Sequence, residues 1–134
     1  MIVSAMLVVV GIIHLLPLSG ALGPERLAAL YGLDFAEPNL AILMRHRAVL
    51  FGILGTFFVA AAFRPAWQPL ALVAGFVSVV SFLWLAWSVG GHNALIARVV
   101  LADWMALAAL VVGGVACVRG RILARAGLGE RASG

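Results

Sequence analysis

Four stretches of this chain are apolar for long enough to cross a bilayer, at about residues 1–18, 39–63, 66–89 and 93–118. A helix needs about 20 such residues to traverse a hydrocarbon core of roughly 30 Å. Leu, Val, Ala and Phe run through each stretch without a period of two, so the pattern predicts helices and not the strands of a membrane barrel. Helix breakers fall between the stretches. Pro17 with Ser19 and Gly20 closes the first, Pro38 opens the second, Arg64 and Pro65 separate it from the third, and Gly90 and Gly91 precede the fourth. The expected fold class is therefore all-α: a polytopic membrane protein with a single four-helix domain over 1–118 and a basic tail over 119–134.

The first loop carries its own pattern. Pro24 suits the first position of a helix and Gly32 can close it, while Leu27, Leu30 and Tyr31 share one face between them. A short amphipathic helix lying at the membrane interface is predicted there.

Composition agrees with this class. Of 134 residues, 65% are hydrophobic and only 10% charged, with a mean hydropathy of +1.17, far too apolar for a soluble domain. The formal net charge of +4 rests wholly on arginine, since the chain has no lysine. These arginines mark the ends of apolar runs and do not form a basic face with interleaved aromatics, so nucleic acid is not an expected partner. The single cysteine, Cys117, excludes an internal disulfide and a CxxC relay. The first span also ends near small residues, as a secretory signal does, but no basic residue precedes Arg26, and the span is expected to be retained.

Arginine placement orients the bundle. Arg64 in the second loop and Arg119, Arg121, Arg125 and Arg131 in the tail predict that both termini face the cytoplasm. The first loop, with Glu25, Asp34 and Glu37 against Arg26, then faces outward, although Arg45, Arg47 and Arg98 at that end pull the other way.

Against this apolar background one band of polar residues stands out: His14, Arg45, His46, Arg47, Arg98 and Asp103. Residues 48–63 separate Arg47 from Arg64, about 24 Å of helix, and residues 104–118 separate Asp103 from Arg119, about 22 Å. Both lengths are shorter than the hydrocarbon core, so the band should lie a little inside its outer edge. Ionisable groups at such depth face the bundle, pair with one another, or handle a ligand. Helical phase puts Arg45 on the stripe of Ala48, Gly52, Gly55 and Thr56, whose small side chains suit helix contact, and Arg47 with bulky Phe51, Leu54 and Phe58. Arg45 is thus expected to point inward and pair with Asp103 beside His14, and Arg47 to snorkel toward headgroups. The candidate ligand-binding cluster is His14, Arg45, His46, Arg98 and Asp103. The competing reading is a purely structural staple between helices.

Several chemistries lack their signatures. His14, His46 and His92 come from different helix ends. Two of them would be needed for haem and all three for a transition metal, but no His-x-x-x-His pair supports either. No phosphate-binding glycine loop or nucleophile elbow is present, so no catalytic residues are assigned and an enzyme is not expected. A small multidrug transporter would carry a glutamate in the first helix, where only His14 stands.

The chain resembles small bacterial four-helix membrane proteins of the DoxX-like type. The resemblance rests on Gly11-Ile12-Ile13-His14-Leu15-Leu16-Pro17, on Leu43-Met44-Arg45-His46-Arg47 and on Ala102-Asp103-Trp104. It implies a place in the bacterial inner membrane, an accessory role beside a redox complex, and a cleft of quinone size. The name phosphopantetheine adenylyltransferase, which chains of this appearance sometimes carry, is not supported: the only Gly-His is Gly91-His92, in a turn, without the His-x-Gly-His pattern of that soluble enzyme. The sequence thus leads to a binding or accessory membrane subunit with a polar cleft near the outer face, taking a quinone, a lipid headgroup or a partner subunit, with self-association through small-residue stripes. The alternative is a small proton-coupled transporter in which Asp103 and His14 change protonation.

Overall fold

The computed structural model describes residues 1–132, and they fold entirely as helices joined by short turns. The elements are α1 (Ile2–Leu15), a 3-10 segment (Leu16–Leu22), α2 (Pro24–Tyr31), α3 (Pro38–Ala62), α4 (Gln68–Val89) and α5 (Ala94–Ala132). Among the described residues four helical stretches are long and apolar enough to cross a membrane: Ile2–Leu22, Pro38–Ala62, Gln68–Val89 and Ala94–Ala126. The basic tail continues α5 as helix as far as Ala132, and its residues 133 and 134 lie outside the described residues.

Local chemistry sets the ends. Pro17 has no N–H to give, so the α-helical ladder stops at Leu15 and the span finishes in tighter 3-10 turns. Glu37 caps α3, its carboxylate accepting from the Asn39 amide at 2.9 Å and from the Leu40 amide at 2.6 Å, with Pro38 just inside. Those two bonds favour the charged form and hold the Glu37 carboxyl below its usual range. Gly90 and Gly91 turn the chain into α5 with φ of 65° and 64°, a conformation that side chains resist. Asn93 caps α5, its Oδ1 accepting from the Leu95 and Ile96 amides at 3.0 and 2.9 Å, while its Nδ2 donates to the Tyr31 carbonyl at 2.8 Å. One asparagine thereby starts α5 and ties down the end of α2.

The helices form a ring in the order α1, α3, α4, α5, with α3 packed chiefly on α1 and only lightly on α4. At the α1–α3 crossing the backbones nearly touch: a Cβ on Gly55 would lie 2.9 Å from the Gly11 carbonyl oxygen, and one on Gly11 would lie 3.0 Å from that of Gly55. Leu7, Val10, Phe58, Ala61, Ala71, Leu72, Val79, Ala106 and Leu110 fill the centre. The outer surface is just as apolar. Ile53, Val77, Trp84, Leu101 and Trp104 are exposed on different helices, an arrangement that is stable only where hydrocarbon surrounds it. The helix α2 does more than lie at an interface. It folds back on the bundle, burying Leu27 and Tyr31 with Phe35 against Met44 of α3 and Ile96 and Val99 of α5.

Candidate functional site

The C-terminal ends of α1 and α4 and the N-terminal ends of α3 and α5 meet beneath α2. There the packing opens into a cavity of ≈ 300 Å³. Its polar lining is His14 from α1, Tyr31 from α2, Arg47 from α3, and Arg98 and Asp103 from α5. Ile13, Leu16, Phe51, Phe82, Leu95 and Val99 supply apolar walls. Two guanidiniums against one carboxylate leave the lining electropositive.

His14 is 2% exposed and both its ring nitrogens are engaged. Nδ1 lies 2.9 Å from the Val10 carbonyl one turn back, and Nε2 lies 3.1 Å from Oγ of Ser78 on α4. A carbonyl can only accept, so Nδ1 carries the proton and Nε2 takes the Ser78 hydroxyl. Phe58 meets the imidazole edge-on at 4.9 Å between centroids and Phe51 stacks on it at 5.4 Å. His14 is therefore a fixed floor tile that binds α1 to α4 and α3.

Arg47 is held differently. Its guanidinium lies over three ring faces, 4.9 Å from the Phe51 centroid, 5.8 Å from Phe82 and 5.9 Å from Tyr31. Such faces attract a cation and stand in for a counter-ion. The Tyr31 phenol is pushed up from its usual range by burial, and the Arg47 charge pulls it partly back.

Asp103 is 7% exposed, and no group among the described residues hydrogen-bonds or ion-pairs with it. Among the described residues no fully enclosed side-chain oxygen or nitrogen lacks a partner, and the Asp103 carboxylate lines the cavity. The expected ion pair between Asp103 and Arg45 does not form. Arg45 is exposed on the outside of α3, where its Nε donates to the Ala21 carbonyl at 3.0 Å and ties down the last turn of the 3-10 segment. His46 joins it there, in a shallow groove with Ala21, Ile42 and Val49, apart from the cavity.

The structure thus brings together His14, Arg98 and Asp103 of the expected cluster, leaves Arg45 and His46 outside, and adds Arg47 and Tyr31. The physical reason is the breadth of the buried face of α3. Ala41, Ala48, Gly52, Gly55, Phe58 and Ala62 are all buried, and at 3.6 residues per turn their mean direction falls between Arg45 and Arg47. The two arginines flank this face, Arg45 on the side of the 3-10 segment and Arg47 on the side of α4. Phe51 and Phe58 are not lipid-facing bulk, because both rings pack on His14. Tyr31 carried a signal in the sequence, sharing its face with Leu27 and Leu30.

Among the described residues no group of three His, Cys, Asp or Glu side chains is placed to hold a metal ion. His14 and His46 line separate pockets. Comparison with known protein families, with curated proteins and with solved structures gives no match to this chain.

Proposed function

We propose that this protein is a membrane-embedded binding or accessory subunit whose cavity beneath α2 receives a small amphipathic molecule, such as a quinone or a lipid headgroup. One observation carries the reading: charged groups that are expensive inside a membrane converge on an open space with apolar walls, instead of pairing with each other. A volume of ≈ 300 Å³ accommodates a ring or a short chain with a polar head. The lightly packed side between α3 and α4 offers a route from the lipid phase.

Arg64 and Arg119, Arg121 and Arg125 lie at the end of the bundle opposite the cavity. The positive-inside rule makes that end cytoplasmic in a bacterial inner membrane and turns the cavity outward. Beyond the cavity, Leu7, Val10, Phe58 and Leu110 pack into a closed apolar plug, which argues against a path through the bundle and so against a carrier.

The test is purification into lipid nanodiscs followed by native mass spectrometry. A bound small molecule is expected on the wild type and lost on Arg47→Gln. A wild type free of ligand, together with proteoliposome flux that depends on pH and is abolished by Asp103→Asn, would replace this reading with transport.

A further inference from the structure

Within that cavity the charges are unequally satisfied. Arg47 and Asp103 each stand nine residues beyond the first residue of their helix, α3 and α5, and so reach similar depth. Arg47 is already engaged by the faces of Phe51, Phe82 and Tyr31. Asp103, 7% exposed, has no hydrogen-bond donor and no ion-pair partner within 4 Å among the described residues, although the Arg47 charge reaches it from beyond that distance. Arg98 is exposed, lines the same space and has no acceptor among the described residues. It lies five residues before Asp103 on α5, about 7.5 Å nearer the start of that helix. His14 cannot serve Asp103 as a donor, because its one N–H faces the Val10 carbonyl.

We infer that the cavity takes a zwitterion: a ligand with an acidic group at Arg98, an ammonium group at Asp103 deeper along α5, and an apolar body about six carbons long against Phe51, Phe82 and Val99. This rests on the reading of the cavity as a ligand site and specifies its chemistry. A buried carboxylate with no hydrogen bond or close ion pair is disfavoured until a donor arrives, and two opposite charges held apart on one helix select a molecule that carries both at the matching separation. A simple fatty acid satisfies Arg98 and leaves Asp103 repelling it.

Isothermal titration calorimetry of the detergent-purified protein with 6-aminohexanoate, hexanoate and hexylamine tests the inference. The three share a chain length and differ only in their ends. The zwitterion is expected to bind at least about tenfold more tightly than either single-ended molecule, the difference that one charge-assisted hydrogen bond makes. Asp103→Asn should remove that advantage over hexanoate, and Arg98→Gln, an exposed substitution that leaves the core untouched, should remove it over hexylamine. Hexanoate binding as tightly as the zwitterion, with no change on Asp103→Asn, would overturn the two-ended ligand while keeping the cavity as an anion site. No heat from any of the three would also overturn it, and mass spectrometry of the purified protein then judges the broader reading on its own.

Discussion

His14 offers the sharpest test of how this bundle is assembled. Its ring is 2% exposed, donates to Val10, accepts from Ser78 at 3.1 Å, and packs on Phe51 and Phe58. A hydrogen bond between membrane helices contributes roughly 0.6 kcal/mol on average and up to about 1.7. Each aromatic contact adds about 0.5–1.5 kcal/mol beyond the area it buries. His14→Ala loses all of these and leaves a void, so a cost of about 3 kcal/mol is expected. His14→Phe keeps the ring contacts and loses the polar ones, for about 1 kcal/mol. Reversible unfolding in mixed micelles, followed by circular dichroism, separates the two. A double-mutant cycle of His14→Phe with Ser78→Ala should give a coupling of roughly 0.5–1.5 kcal/mol. Equal damage from Ala and Phe, or zero coupling to Ser78, would refute the account of His14 as a tile joining α1, α3 and α4.

Other outcomes follow from single contacts. Gly55→Ala should destabilise by about 1–3 kcal/mol through overpacking, since its Cβ would lie 2.9 Å from the Gly11 carbonyl. Gly120→Ala, with nothing within 4 Å, should stabilise by up to about 1 kcal/mol through helix propensity. The same unfolding measurement reads both. Tyr31 is the only tyrosine, so absorbance titration of tyrosinate reports it alone. It should ionise above the usual range, and Arg47→Gln should push it higher still by removing the cation over its ring. An unchanged titration would separate Arg47 from Tyr31. The Glu37 carboxyl sits below its usual range in the folded chain, so its contribution is present above the unfolded value and is lost as pH falls through the folded one. Glu37→Gln should flatten that acid limb of the melting profile, and an unaltered limb would count against the cap.

Much of the fold was legible because long apolar runs and their Pro and Gly breaks leave few alternatives in a bilayer. Pro24 and Gly32 located α2 for the same reason, and Gly90 with Gly91 located the last turn. The direction of the arginines was not legible. Small residues on α3 correctly marked the contact with α1, but a second inward face, made of Phe51 and Phe58, looked like lipid-facing bulk. Amphipathic phase can orient a helix that buries one stripe. It cannot orient one that meets α1 on one side and a ring-lined cavity on the other. Nothing in the apolar run distinguishes the long 3-10 segment from α-helix, nor marks the carbonyl of Ala21 that draws Arg45 outward. Asn93 had a visible signal, an asparagine just before an apolar run, although its grip on Tyr31 across the bundle had none.

Asp103 decides whether the polar cluster is a staple between helices or a site. A staple must have something to hold. Removing one partner of a buried ion pair destabilises by about 3–5 kcal/mol, because the other charge is left uncompensated. Among the described residues Asp103 has no such partner within 4 Å; the charge of Arg47 reaches it from further off, but that guanidinium is held by rings that would remain. Asp103→Leu should therefore remove a desolvation penalty and lose only the longer-range attraction of Arg47, whose ring contacts persist. The cavity gives the larger side chain room. Unfolding in mixed micelles should show the variant unchanged or more stable, by up to about 2 kcal/mol, while bound ligand disappears from the native mass spectrum. A group kept at the expense of stability is the mark of a site, and a loss of about 3 kcal/mol or more with Asp103→Leu would return the cluster to a structural role.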